Sequence, residues 1–274
     1  MNAPRASAVG EDTTRGSPWT GAGDDGNGDI LLSARGIVRR FGGVIAVDGV
    51  SIDLVGGSVH AVIGTNGAGK STLVNVLAGE LAADAGTITL GGIDVTRASQ
   101  PWRARRGLGR TYQRSTVFMP FTVLENCRLC AQGRYPAPFA LDAGARCARS
   151  LDAARDALAR TGLAALADRV AATLSHGQRR QLEVAMCLAT APRVLLLDEP
   201  LAGMGAEETA AMLELLASLR EGHAILLVEH DMDAVFRIAD RITVMVDGAV
   251  IASDTPAAVR ANPAVQAAYL GESA

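Results

Sequence analysis

The stretch Gly64-Thr65-Asn66-Gly67-Ala68-Gly69-Lys70-Ser71-Thr72 constrains the fold more than any other part of the chain. It follows SVHAVIG, an apolar run that reads as a strand, and precedes STLVNVLAG, which reads as a helix. A lysine in the first turn of a helix is electrostatically disfavoured unless an anion offsets the positive end of the helix dipole. Glycines at this spacing let backbone N–H groups approach such an anion closely. Strand, glycine loop and helix together predict a phosphate cradle running from Gly64 to Thr72. Lys70 would reach the outer phosphates and the Ser71 hydroxyl would ligate Mg²⁺.

A phosphate cradle calls for a second strand that delivers carboxylates, and VLLLDEP supplies one. Four apolar residues end in Asp198 and Glu199, a costly place for two acids unless a cation and a water need them. Asp198 is expected to hold Mg²⁺ directly or through water, and Glu199 to polarise the attacking water. Gln113 after LGRTY and His230 after AILLVE end strands in the same way. In a parallel sheet these carboxyl ends open on one edge. Gln113 offers an acceptor to metal or water and a donor to phosphate, and His230 can hydrogen-bond a terminal phosphate.

Around this site, ILLSARGIVRRF, VSIDLV, GTITLGGIDV, RVLLLD and RITVMV read as further strands or hairpins. Continuous apolar strands alternating with helices predict an α/β fold with a mostly parallel sheet. The region from about 122 to 190 shows helical periodicity, clearest in LDAARDALARTGLAAL, and reads as a helical lobe inserted into the sheet. Residues 1–29 are rich in Gly, Ser, Thr, Asp and Pro and are expected to form a disordered tail.

Balanced charge, 26 Lys+Arg against 29 Asp+Glu, gives no basic field that would point to nucleic acid. No window approaches the run of about 18 apolar residues that spans a bilayer, so the chain is expected not to cross a membrane. With no secretory h-region expected, Cys127, Cys130, Cys147 and Cys187 read as reduced cytosolic thiols, and Cys127 and Cys130 as structural cysteines. Cys127 and Cys130 lack a second ligand pair at metal-binding spacing.

TLSHGQRRQLEVAMCLA, from Thr173 to Ala189, begins as a polar turn and becomes an amphipathic helix. Ser175 is placed to cap that helix. Alternatively, the N–H groups of the turn are kept for a phosphate, with Gly177 letting it approach.

These motifs, in this order, resemble an ATP-binding cassette, the nucleotide-hydrolysing subunit of ABC transporters. The resemblance covers Ile30 to about Glu272. It implies a P-loop NTPase core of RecA type with an antiparallel β subdomain and an inserted α-helical lobe, together forming one ATPase domain over residues 30–274. It also implies ATP and Mg²⁺ as cofactors, with Ser71, Gln113 and Asp198 at the metal and Glu199, Gln113 and His230 as catalytic residues. Phe41 in RRFGG occupies the position of the aromatic that stacks on adenine. Ser175, Gly177 and Gln178 belong to the signature, which in this family faces the ATP of a second cassette in a head-to-tail dimer, with Ser175 and Gly177 presenting N–H donors to the γ-phosphate.

More narrowly, FGGVIAVDGVSIDL, RTYQRSTVFMPFTVLENC, VEHDMDAVFRIADRITVMVDG and TPAAVRANPAVQAAYLGE resemble the ATPases of branched-chain amino-acid uptake systems. This implies an importer with transmembrane permease subunits, a second ATPase that is a paralogue or a second copy, and, indirectly, an extracytoplasmic solute-binding protein. The cassette would sit peripherally on the cytoplasmic face of the inner membrane, with the permease docked near the segment after Gln113. An exporter or lipid-transport cassette and a non-transport regulatory ATPase are the alternatives. Three positions depart from the usual pattern: His176 where glycine is common, Thr65 where the subfamily often has proline, and Gly205 where an Asp or Asn communicates across the dimer. The His176 side chain is expected to point away from the phosphate.

Overall fold

The computed structural model describes residues 28–113, 115–134 and 143–270. Residues 1–27 of the expected tail and the last residues of the carboxy-terminal resemblance lie outside the described residues.

A long hairpin opens the fold, β1 (Ile30–Phe41) and β2 (Val44–Val55), turned by Gly42 at φ 58°. It is followed by β3 (Val59–Gly64), α1 (Lys70–Ala78), the short pair β4 (Ala85–Leu90) and β5 (Ile93–Asp94), then α2 (Gln100–Arg105) and β6 (Leu108–Arg110). Three helices come next, α3 (Val123–Arg134), α4 (Ala143–Arg160) and α5 (His176–Leu188). The chain then runs through β7 (Val194–Asp198), α6 (Ala206–Leu219), β8 (Ala224–Val228), α7 (Met232–Ile238), β9 (Arg241–Val246), β10 (Ala249–Asp254), α8 (Pro256–Ala261) and α9 (Pro263–Leu270).

Two sheets result. Four antiparallel strands lie in the order β2-β1-β4-β5, and six lie in the order β10-β9-β3-β8-β7-β6. Within the larger sheet β9, β3, β8, β7 and β6 run parallel, and β10 alone is antiparallel. Every residue of β3, β7 and β8 is buried, which is why these strands read as unbroken apolar runs rather than alternating ones.

Side-chain alternation along β7 explains how the layers are glued. Leu196 points into a core shared with Leu73 and Leu77 of α1 and with Ile37, Ile52 and Leu54 of the antiparallel sheet. Leu195 and Leu197 point the other way, into a core with Leu182 of α5, Met212 and Leu216 of α6, Leu158 of α4 and Cys127 of α3. A third, smaller core under α7, α8 and α9 gathers Ile63, Val235, Val244, Val259 and Val265. The polypeptide leaves the sheet after β6 and re-enters it at β7 as the adjacent strand, Leu108 opposite Val194, so helices α3 to α5 form an excursion that begins and ends at neighbouring strands.

Helix α4 stops at Arg160, earlier than the helical reading through Leu166. Gly162 at φ 73° reverses the chain, and only a short 3₁₀ turn, Ala164–Leu166, follows. Arg103, fully buried, caps the far end of α1: its guanidinium donates to the carbonyls of Val76 and Leu77 at 2.9 and 2.7 Å, and further to Ala98 and Thr96. Four carbonyls satisfy the buried cation, and burial lowers its pKa to about 10 against the Asp94 charge, which raises it.

Candidate functional site

Because β3, β6, β7 and β8 are parallel neighbours, their carboxyl ends share one edge of the sheet, and the loops that leave them converge there. The loop after β3 is shaped by glycines in backbone conformations that side chains rarely adopt. Gly64 has φ 155°, Gly67 83° and Gly69 93°. A Cβ on Gly69 would run into the carbonyl oxygen of Ala46, and one on Gly64 into that of Met245. Gly69 thus turns the chain into α1 while pressed against β2, and α1 starts with no side-chain cap. Its first N–H groups have no protein side chain as partner at the cap, the arrangement that suits a phosphate. The Lys70 ammonium, largely buried, donates to Gly64 O at 2.7 Å and Thr65 O at 2.9 Å and lies over the loop.

Beside it, Ser71, Gln113 and Asp198 meet, as their pattern predicts. Gln113 Nε2 donates to Ser71 Oγ at 3.3 Å, and the Ser71 hydroxyl in turn hydrogen-bonds the Asp198 carboxyl. Asp198 is buried, and its Oδ1 receives no hydrogen bond. Burial raises the pKa of this carboxyl and the Glu199 charge adds to the effect, while Arg110 and Lys70 oppose it. An orphaned buried carboxylate oxygen beside a serine hydroxyl offers two hard oxygen ligands, which fits Mg²⁺ completed by water and phosphate oxygens, and the Gln113 amide, whose nitrogen faces Ser71 here, would add its oxygen by turning over. Among the described residues no group of three or more His, Cys, Asp or Glu forms a separate metal site. The free thiols Cys127, Cys130 and Cys187 have pKa values raised by burial, as inert structural cysteines do, and the Cys147 side chain lies outside the described residues.

Glu199 is half-buried and adopts φ 51°, a left-handed conformation that costs a non-glycine residue about 1 kcal/mol or more. The kink ends β7 abruptly and turns the chain toward Leu201. Its other support is Glu229, wholly buried at the end of β8, which the sequence reading passed over. Glu229 accepts from Leu201 N at 2.8 Å and from His230 N at 3.2 Å, so one carboxylate holds both the loop after Glu199 and the turn that carries His230. Burial raises its pKa against these two hydrogen bonds. The His230 ring is mostly exposed, 3.8 Å from Glu229. An acid that closes the apolar run AILLV, as Asp198 closes VLLL, was the available signal for Glu229.

Phe41 stands apart, at the end of β1, half exposed with the Arg39 guanidinium 4.8 Å from the ring centroid. A ring presented at the surface in this way can stack on a planar base.

Ser175, Gly177 and Gln178 are not gathered with the phosphate loop. Ser175 does cap α5, reciprocally: its Oγ accepts from Gln178 N at 3.2 Å while Gln178 Oε1 accepts from Ser175 N at 3.0 Å. Gly177 N donates to Glu208 Oε1 at 3.2 Å. The N–H groups of Ser175 and Gly177, expected to be open to a second chain's nucleotide, therefore both have partners within this chain. The His176 Nε2–H donates to the carbonyl of Ala202 at 3.0 Å.

Comparisons with known proteins point to one family. The ABC transporter family matches residues 47–202, and the family of branched-chain amino acid ATP-binding cassette transporters matches residues 249–274. The chain is 42% identical over 251 residues, 88% of its length and 98% of the relative's, to the high-affinity branched-chain amino acid transport ATP-binding protein LivG of Salmonella typhimurium. It is 40% identical, with the same coverage, to BraF of Pseudomonas aeruginosa. Among solved structures, a nucleotide-free ATP-binding cassette from an ABC transporter superposes with a TM-score of 0.79 at 31% identity, covering 88% of this chain and 99% of that one. The ADP conformation of an ATP-binding cassette superposes with a TM-score of 0.77 at 31% identity over 89% and 99%. A glycine-cornered loop feeding a helix, an acid pair on the next strand but one, and sequence kinship along nearly the whole length lead to one conclusion: the chain belongs to the ABC transporter family, as an ATP-binding cassette of the ATPase type.

Proposed function

We propose that this chain is the ATP-hydrolysing subunit of an importer for branched-chain amino acids or a related small polar solute, energising transport through partner permeases. The observation that carries this reading is the match over residues 249–274, which lies beyond the shared ATPase core and belongs to the branched-chain amino acid cassettes. The LivG and BraF relatives are matched over 98% of their own lengths.

In this reading Gly64 to Thr72 wrap the phosphates of ATP, and Phe41 stacks on its adenine. Lys70 gives up the carbonyls of Gly64 and Thr65 for the outer phosphates, a charge-assisted exchange that favours the anion. Ser71, Gln113 and Asp198 would hold Mg²⁺, which would offset the charge of the phosphate oxygens. Glu199 accepts a proton from the attacking water, and His230 donates to the terminal phosphate. Glu229 is a positioning residue, since it holds the backbone of both without reaching the reacting atoms.

Two cassettes pair head to tail, this chain with itself or with a paralogue, so that Ser175, Gly177 and Gln178 of one face the ATP of the other. No helix among the described residues is long and apolar enough to cross a membrane. The chain would sit peripherally on the cytoplasmic face of the inner membrane, served indirectly by an extracytoplasmic solute-binding protein and with no nucleic acid partner. Phe118 and Phe121, stacked with centroids 5.6 Å apart and exposed in the segment after Gln113, suit the docking of a permease.

Uptake of radiolabelled leucine, isoleucine and valine by cells lacking the gene tests the proposal. Wild-type chain should restore uptake and Glu199→Gln should not. Unchanged uptake of all three in the deletion strain would overturn the solute assignment.

A further inference from the structure

Two helices begin at the same point in space. The N-terminus of α5 (His176–Leu188) and that of α6 (Ala206–Leu219) both address the carboxylate of Glu208. Oε1 of Glu208 accepts from Gly177 N at 3.2 Å and lies 3.4 Å from the Ser175 hydroxyl, while Oε2 lies 3.5 Å from Gly205 N. The approach depends on Gly177, because a Cβ there would stand 2.5 Å from Oε1. An anion held by backbone N–H, a serine hydroxyl and two helix dipoles has the environment that a phosphate oxygen would seek.

We propose that Glu208 is an internal stand-in for phosphate: in the separated chain it occupies the donors of the signature turn, and the ATP of a partner chain must displace it before the dimer closes. This rests on the head-to-tail reading above. A terminal phosphate brings more charge and more acceptor oxygens than one carboxylate, so it wins the donors, but only against a competing anion that adds like-charge repulsion. Space for the displaced side chain exists. A cavity of about 280 Å³, lined by Ser175, Gln178, Met204, Glu207 and Glu208, adjoins the contact. Gly205 strengthens the case, for it gives α6 no capping side chain, so Glu208 is the acid placed to serve both helix starts. The device sets a threshold: ATP concentrations too low to outcompete Glu208 leave the two chains apart.

Glu208→Gln keeps the shape and an acceptor oxygen while removing the charge. Placed in the Glu199→Gln chain, so that ATP is bound but not consumed, it should lower the ATP concentration for half-maximal dimerisation about tenfold, the effect of one charge-assisted hydrogen bond. Glu207→Gln, the same charge change one residue away, should leave it unmoved. Hydrogen exchange in the nucleotide-free chain reads the contact directly, and backbone amides of residues 173–182 should exchange faster in Glu208→Gln. An unchanged or raised ATP requirement with a dimer still forming, or unchanged exchange, overturns the stand-in while sparing the head-to-tail reading. No ATP-dependent dimer in any variant, alone or with the paralogue, overturns both.

Discussion

His176 Nε2 lies 3.0 Å from the carbonyl oxygen of Ala202, and this bond ties the signature turn to the loop that follows Glu199. A Cβ on Gly203, which has φ 75°, would stand 3.1 Å from the same nitrogen, so ring and loop are also in close packing. The residue that departs from the usual signature glycine is therefore a strut between two parts of one chain. His176→Ala should cost about 1 kcal/mol in urea denaturation, the usual net worth of such a bond. Nucleotide binding to the phosphate loop should stay unchanged while ATP turnover by the assembled transporter falls. Equal turnover in the two proteins would show that the strut carries nothing between the two regions.

Glu199→Gln preserves size and backbone but removes the proton acceptor. ATP should bind as in wild type, and phosphate release should fall by about a hundredfold or more. Binding by equilibrium dialysis and single-turnover hydrolysis separate the two effects. A chain that binds and hydrolyses normally would remove Glu199 from the mechanism.

Gly69→Ala should damage both fold and site. The added methyl meets the Ala46 carbonyl, and φ 93° is strained for any residue with a side chain, for about 1–3 kcal/mol before the collision is counted. Melting temperature and ATP affinity should drop together. Gly43→Ala, where the added atom meets open space, is the control and should leave both in place.

His60 supplies a pH test independent of nucleotide. It is buried between the Asp53 carbonyl and the Thr243 hydroxyl, and burial lowers its pKa from 6.5 to about 4. Between those values the unfolded chain binds a proton that the folded chain refuses, so acidification favours unfolding. The contribution is complete above about pH 6.5 and lost progressively as pH falls toward about 4, amounting to about 2 kcal/mol between pH 7.5 and pH 5. Asp198 and Glu229, whose pKa values are raised, work in the opposite direction. The measurement is therefore the difference in pH dependence between wild type and His60→Gln, with the substituted chain losing less stability on acidification.

The parts of this molecule legible in its sequence are those where neighbours along the chain do the work. Gly64 to Ser71 announce a phosphate loop because the turn, the helix start and the lysine are contiguous, and the buried runs of β3, β7 and β8 are continuous apolar strings. Glu208, Glu229 and Arg103 were not legible, since each acts on a segment distant in sequence: Glu208 on Gly177, Glu229 on Leu201, Arg103 on Val76 and Leu77. Glu208 reads as one more acid in the first turn of a helix, a common placement with a local explanation of its own. The premature end of α4 was legible in principle, as Gly162 sits where a helix stop belongs, but the alanines beyond it continue the helical composition and mask the break.

The pairing of β6 with β7 has a consequence for how such a chain can change. Leu108 and Val194 are neighbours across one hydrogen-bonded ladder, so everything between them hangs from a stem that is already closed. Lengthening a closed loop costs little, about 0.6 kcal/mol for each doubling, and the strand end that carries Asp198 and Glu199 stays where the ladder holds it. Descendants of this chain can add, trim or exchange turns at the outer reaches of the excursion, and so fit a new neighbour, without re-aiming the atoms that meet the phosphate.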